Sequence, residues 1–455
     1  MRTHRTIVGL AVASMAAIAV VAGAFVLYSD ETDPVVVRAK ARGEAVIAEY
    51  EERFASREDR RTTGSQRDPE TLPPESTDAV YSAPELCAQL ASILRDMEGQ
   101  AHYEQLCVNR AVRDWTEEEL DFLASFFQRH AALMDSIREL ASLREPFHLA
   151  DAFSEEHPEK VYWLPLVDMA RLLAVEMAVH VRKGSVEHAV DNCLAILALS
   201  QSLSEEPWFF SQGVSRSVFG RAFWGVETFL QPGELTPDQT QRIVRELETS
   251  YGKEGFIRSL ETEAAWLIAE TEAYCEMTKD FTPGSISRAI MGAAYRSPIV
   301  GGVILSRDRR HFAMFMGRIT EAARLPYYEA YPQLEKIQDE IDELWFTNVL
   351  TLFGASTNAK APGDHASHEA CVDLMRLGLL LESHYSENGT YPETLDVLAP
   401  EFGGAVPLDP FSGNAYVYRP ADDTFLLYSI GRNREDNGGL RIFMGGDIVW
   451  RPVED

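Results

Sequence analysis

The chain has 455 residues, more than one hydrophobic core usually organises, so two or three domains are expected. Hydrophobic residues make up 45% and charged residues 25%, which excludes wholesale disorder. The formal charge is −29. Arg2 and Arg5 are the only charged residues among the first 28, so the remainder sets 71 acids against 40 bases. Such a body repels nucleic acid phosphates and anionic headgroups, and nucleic acid is excluded as a partner.

From the N-terminus, Ile7 to Tyr28 is apolar apart from Ser14, follows Arg2, His4 and Arg5, and precedes Asp30, Glu31 and Asp33. A helix of that length rises about 33 Å, enough for a bilayer core. The flanking charges place the N-terminus in the cytoplasm and the bulk outside the inner membrane. The rival reading is a cleavable signal peptide ending near Ala22-Gly23-Ala24. The run continues through Phe25-Val26-Leu27, long for a signal segment, which favours a single-pass anchor over residues 1–30. Residues 34–60 have apolar positions at helical spacing, and 61–84 gather Pro, Ser, Thr and Asp without periodicity, so 31–84 reads as a charged helix and a linker.

From Glu85 to Asn358 the spacing predicts an all-α domain. Thr116 before three glutamates is a candidate N-cap, and Thr236-Pro237-Asp238 opens another helix. Residues 163–183 and 185–203 form a helical hairpin around Lys183-Gly184, with a turn like that of tetratricopeptide repeats. No second copy follows at that period. Residues 281–306 are apolar but broken by Arg296, Ser297 and Pro298, which suits a buried connection better than a second membrane span. Trp208-Phe209-Phe210 is either an exposed docking patch or a buried helix start. The five cysteines are scattered, with no C-x-x-C pair. Cys87 and Cys107 could pair across a hairpin outside the cytoplasm; otherwise all five are small buried residues.

Residues 356–368, STNAKAPGDHASH, read as a second boundary, leaving 359–455 as a small α+β domain. In it, EACVDLMRLGLLLESHY is an amphipathic helix. PLDPFSGNAYVYR, TFLLYSIG and GDIVWRP are short aromatic and β-branched runs between turn residues, predicting an antiparallel meander packed on that helix. Asn388-Gly389 is a helix stop, Pro392 turns the chain, and Asp409-Pro410 with Ser412-Gly413-Asn414 precedes the first strand.

The order Asn388-Gly389-Thr390-Tyr391-Pro392, Leu408-Asp409-Pro410-Phe411-Ser412-Gly413, Tyr416-Val417-Tyr418, Tyr428-Ser429-Ile430-Gly431 and Asp447-Ile448-Val449-Trp450 resembles the C-terminal domain of the major pseudopilin (GspG-like) of type II secretion systems. The resemblance covers about 366–452. It implies a calcium-binding loop between the last strands, here Gly431 to Gly439 closing at Asp447, with Asn433, Asp436, Asn437, Asp447 and main-chain carbonyls as oxygen ligands. The family's acidic run is replaced by Leu440-Arg441-Ile442-Phe443-Met444, and Arg432 and Arg434 add positive charge. The hydrophobic helix also lacks the family's glutamate and lies more than three hundred residues from this domain. The whole chain is similar to a group of large membrane-anchored planctomycete proteins that join a helical region, with motifs like Ala323-Arg324-Leu325-Pro326-Tyr327, to this module. That group carries no established activity.

No H-E-x-x-H, G-x-S-x-G, Walker-type or dinucleotide fingerprint is present. His365, His368 and Glu369 could place three metal-capable groups together, although the surrounding residues read as linker. His180 and His188 flank the hairpin turn as surface or capping residues. Asn388-Gly389-Thr390 matches a glycosylation acceptor but reads as a turn. The expectation is a mainly α, membrane-anchored, non-catalytic interaction or scaffold protein with partners in the cell envelope and calcium as the candidate ligand. The alternative is an envelope hydrolase whose carboxylates converge in the helical domain, marked by a deep pocket that joins acids with shifted titration.

Overall fold

The computed structural model describes residues 33–64, 115–144, 147, 163–230, 233–249, 252–269, 298–344, 350–441 and 445–451. The hydrophobic segment 7–28, Cys87, Cys107, Cys275, the linker beyond Gly64 and all of 281–297 lie outside them. The described chain is mainly helical with a small three-stranded antiparallel sheet near its C-terminal end. Among the described residues no helix is long and apolar enough to cross a membrane.

The helices are α1 (Pro34–Gly64), α2 (Glu117–Arg129), α3 (Ala131–Leu143), α4 (Trp163–Arg182), α5 (Val186–Ser204), α6 (Phe209–Phe229), α7 (Pro237–Thr249), α8 (Lys253–Ala269), α9 (Pro298–Ala323), α10 (Tyr327–Asp342) and α11 (Ser356–Asn388). A π turn, Leu350–Ala355, leads into α11, and a 3-10 helix, Leu395–Phe402, leads out to β1 (Val417–Pro420), β2 (Phe425–Ser429) and β3 (Ile448–Trp450). Compactness groups residues up to 55 with 257–362, and 56–256 with 363–455. The helical region expected as one domain over 85–358 is thus shared between two units interleaved along the sequence. The second division falls at Pro362/Gly363.

In the first unit the start of α1 is fixed by Asp33, whose Oδ1 accepts the Val35 N–H at 2.8 Å while its other oxygen lies 3.4 Å from Arg310 Nε. Gly43 sits directly over Ala265 and the Glu261 carbonyl of α8, and any side chain there would overlap both. Helices α9 and α10 form a hairpin through Arg324–Pro326, and the π turn packs on both. There Thr351 donates its hydroxyl to the buried Asp308 carboxylate at 2.7 Å and its N–H to the same oxygen at 3.0 Å.

In the second unit the expected caps are in place. Thr116 and Glu119 form a reciprocal capping box at α2, and Thr236 with Gln239 forms another at α7. The α4–α5 hairpin turns as its sequence predicts. Gly184 has φ +73°, its N–H reaches Val181 O at 2.9 Å, and the Ser185 N–H reaches His180 O at 2.8 Å. That pair of bonds is a Schellman stop. Helix α6 packs against both α4 and α5, so the hairpin belongs to a three-helix cluster. Ser200 and Ser215 cross-link α5 and α6 through each other's carbonyls. Trp208 occupies the N-cap position of α6 without a side-chain cap bond, and Phe210 on the first turn remains 36% exposed, so the aromatic triplet is a helix start that stays partly at the surface.

The stretch 356–368 is not a linker; it forms the first turns of α11, with Pro362 inside. Its small residues allow this. Ala359, Ala361, Ala366 and Ala370 are all buried, and alanine both favours helix and permits close approach. Asn358 returns a hydrogen bond to Gly354 O at 2.8 Å. At the other end Gly389 has φ +73° and its N–H reaches Tyr385 O at 2.8 Å, ending the helix where Asn-Gly predicts. The meander has the order β1-β2-β3, with Val417 opposite Tyr428 and Tyr428 opposite Val449. Its apolar face lies on α11, where Gly378 leaves room for the fully buried Trp450 indole; a Cβ there would overlap the ring.

Candidate functional site

Short strands leave many turn N–H groups without ladder partners, and buried carboxylates supply them here. Asp409, 1% exposed, accepts the Phe411 N–H at 3.1 Å and the Ser429 hydroxyl at 2.7 Å on one oxygen. Its other oxygen accepts the Ser412 hydroxyl at 3.0 Å and the Ile430 N–H at 3.3 Å. One side chain thereby ties the Asp-Pro turn to the end of β2.

Asp447 does the same for the last loop. Its oxygens accept the Asn437 N–H at 3.3 Å and the Gly439 N–H at 2.7 Å. Gly431 has φ +65° and passes so close to the Gly446 carbonyl that a side chain would not fit. Of the four ligand candidates, Asn433, Asn437 and Asp447 come together, since Asn433 Nδ2 donates to Asn437 Oδ1 at 2.7 Å. Asp436 faces Tyr428 instead, accepting its hydroxyl at 2.7 Å and the Gly438 N–H at 2.9 Å, and these bonds hold its carboxyl below the usual range. Arg432 pairs with Asp364, and Arg434 donates to Phe411 O at 3.2 Å, so neither guanidinium is directed at the Asn433–Asn437 pair. The oxygens suit calcium in kind, with amide and carboxylate donors on one loop, but each already serves a local donor. Among the described residues no cluster of three His, Cys, Asp or Glu side chains is arranged to hold a metal.

Beneath the sheet, Glu382 of α11 accepts the Trp450 Nε1–H at 3.3 Å and an Arg451 Nη2–H at 3.2 Å, and forms an ion pair with that guanidinium. Burial pushes its carboxyl up to about 7, with Arg451 and Trp450 opposing. Arg451 is held in the left-handed region, φ +44°, while its N–H reaches Glu227 at 3.0 Å; Arg441 pairs with the same Glu227. Burial likewise pushes Asp373 up to about 7, opposed by the hydrogen bond from Tyr416 at 2.9 Å.

His365 and His368 are both buried, but each ring rests on an aromatic partner. His365 stacks on Phe256 at 4.3 Å, and His368 meets Phe219 edge-on at 4.5 Å. Burial lowers His368 to about 3 and His365 well below its usual value, so both are neutral core residues. The metal reading with Glu369 gains no support from this packing. His180 and His188 stack at 5.0 Å, and His180 Nε2 lies 3.8 Å from Glu176. Glu176 is buried and already holds Arg138 at 2.7 Å and Asn192 Nδ2 at 2.8 Å. Cys193 and Cys371 are free thiols that burial pushes up to about 12.

The roles of Glu382, Glu227, Asp373, Glu176 and Arg138 were not read from the sequence, where each looks like an ordinary charged position on a helix. No family model matches the chain, and no match was found among curated proteins or solved structures.

Proposed function

We propose that this chain is a non-catalytic scaffold, tethered to the inner membrane through residues 7–28, whose C-terminal module engages an envelope assembly of the type II secretion kind. The observation that carries the reading is the module's design. A long helix lies on a three-stranded meander, an Asp-Pro turn is fixed by Asp409, and an oxygen-rich loop closes on Asp447. These elements follow in the order that the pseudopilin resemblance implies. The hydrolase alternative is less favoured because, among the described carboxyls with raised values, Glu382, Asp373 and Glu227 are engaged by Arg451, Trp450, Tyr416 and Arg441 within packing contacts, and Glu263 of α8, raised to about 7 by burial, does not line the cleft of the first unit. In the 660 Å³ cleft of the first unit, Glu261 and Glu321 are both ion-paired.

The full chain bearing a C-terminal tag is expected in the membrane pellet, with the tag open to protease from the outer side of spheroplasts. A soluble or protease-protected tag sinks the tether. A photo-reactive residue at Leu440, which is 61% exposed, is expected to cross-link a secretion component, whereas one at Val397 on the 3-10 helix is not. Calcium at millimolar concentration should raise the melting temperature of the full chain relative to chelator. Asn433→Asp, which adds a charge to the loop, should enlarge the shift. Asp447→Ala is unsuitable for that purpose, because it removes two backbone bonds whether or not calcium binds.

A further inference from the structure

The first unit contains a cleft of about 660 Å³ between the opening turns of α1 and the faces of α8, α9 and α10. That is within the roughly 300–1,000 Å³ usual for small-molecule sites. Its wall is apolar, with Ala264, Ala313, Met314 and Ile337, and Met314 keeps 41% of its surface open. Its rim carries Arg38, Arg42, Arg318 and Lys336 against only Glu261 and Glu321. The chain as a whole has 71 acids to 42 bases, so this cleft reverses the sign of the protein around it. Glu261 is occupied by Arg324 at 3.1 Å, and Glu321 lies 4.0 Å from Arg42. Arg318 is held by Glu340 outside the cleft, and Lys336 lies close to that same carboxylate. Arg38 is exposed on the rim.

We infer that this cleft binds one anionic amphiphile, its alkyl chain against the alanine and methionine wall and its carboxylate or phosphate on Arg38, Arg42 and Lys336. Charge complementarity carries the argument: a cationic rim over an apolar wall inside an acidic protein selects a negative head joined to an apolar tail. A polar anion would leave the wall wet, and a neutral lipid would leave the excess positive charge of the rim unmatched. The position of the cleft suggests the source. Val35, Arg38, Ala39 and Arg42 lie on the first turns of α1, and the apolar run of the sequence ends at Tyr28, six residues before Pro34. Six residues reach about 20 Å at most, so a bilayer entered by that run stays within reach of the rim. The tether bears only on the source; binding itself does not depend on it. Gly43 lets α1 approach α8 closely enough to form the wall.

The test uses the full chain in a neutral maltoside detergent, with bound molecules counted by native mass spectrometry. The probes are sodium oleate, dioleoyl phosphatidylglycerol and dioleoyl phosphatidylcholine. One equivalent of an anionic probe is expected, at least tenfold tighter than phosphatidylcholine. The triple variant R38Q/R42Q/K336Q should lose at least tenfold. Met314→Glu, at an exposed wall position, should lose a similar factor while the melting temperature stays near that of the parent. Preference for phosphatidylglycerol points to the membrane as the source, and preference for oleate points to a free acid. Equal binding of phosphatidylcholine, or full binding by the triple variant, overturns the proposal. Displacement of oleate by a decaglutamate peptide would also overturn it and assign the cleft to an acidic polypeptide. Because no step reads membrane association, failure of the tether leaves this outcome unaffected.

Discussion

Helices α4, α5 and α6 and the C-terminal meander solve the same problem in opposite ways. In the helices the backbone satisfies its own ladder, and buried polar side chains such as Ser200, Ser215, Asn192 and Glu176 bond one another or a helix carbonyl. In the meander the strands have four, five and three residues, too short to pair the turns between them. Asp409 and Asp447 take over that work, while Glu382 and Glu227 hold the chain after β3. The lesson is that a small sheet on a helical protein is stabilised by buried acids, and its sensitivity to mutation and pH should follow those acids.

The sharpest way to break that contrast is Asp409→Ala. It strands two N–H groups and two hydroxyls in a site that is 1% exposed, and the expected loss is about 4 kcal/mol. Hydrogen exchange should show protection lost over β1 and β2 and kept over α4–α6. Uniform loss would mean that the two regions are one cooperative unit. Next comes Gly378→Ala, which drives a methyl into Trp450 and should cost roughly 3 kcal/mol in denaturant unfolding.

Glu382→Gln tests the pH dependence. The folded carboxyl is raised to about 7 from 4.5. The folded state therefore binds the extra proton, and the stability this confers is complete below pH 4.5 and lost as pH rises to 7. His365 and His368 act in the opposite sense, since their lowered values remove stability as pH falls below 6.5. The difference between parent and Gln variant isolates Glu382. It should change by roughly 2 to 3 kcal/mol between pH 4.5 and 7.5 and stay flat above that. A constant difference would mean that Arg451 keeps Glu382 ionised throughout. The smallest effect is Thr116→Ala, about 1 kcal/mol, confined to the start of α2.

What could be read from the sequence were features with local causes. Thr116, Thr236, Gly184 and Gly389 each set a helix end through residues within one turn, and the three aromatic runs became the three strands. The segment 356–368 was misread because Ser, Asn, Gly and Pro resemble loop composition, while the buried alanines among them are visible only once α11 has neighbours. The grouping of 257–362 with the start of α1 depends on contacts more than two hundred residues apart, and no local pattern encodes it. The ligand candidates were half legible. Asn and Asp in a Gly-rich loop were evident, but that Asp436 serves Tyr428 and Asp447 serves the backbone depends on where the strands put them.

The contact between Gly378 and Trp450 also sets a delay during synthesis. Trp450 follows Gly378 by about 70 residues, so at roughly 5–20 residues per second the apolar face of α11 emerges several seconds before the indole that covers it. During that interval the face of α11 that carries Gly378 and Glu382 has no Trp450 over it, and the nascent chain should be a client for holding chaperones until β3 arrives.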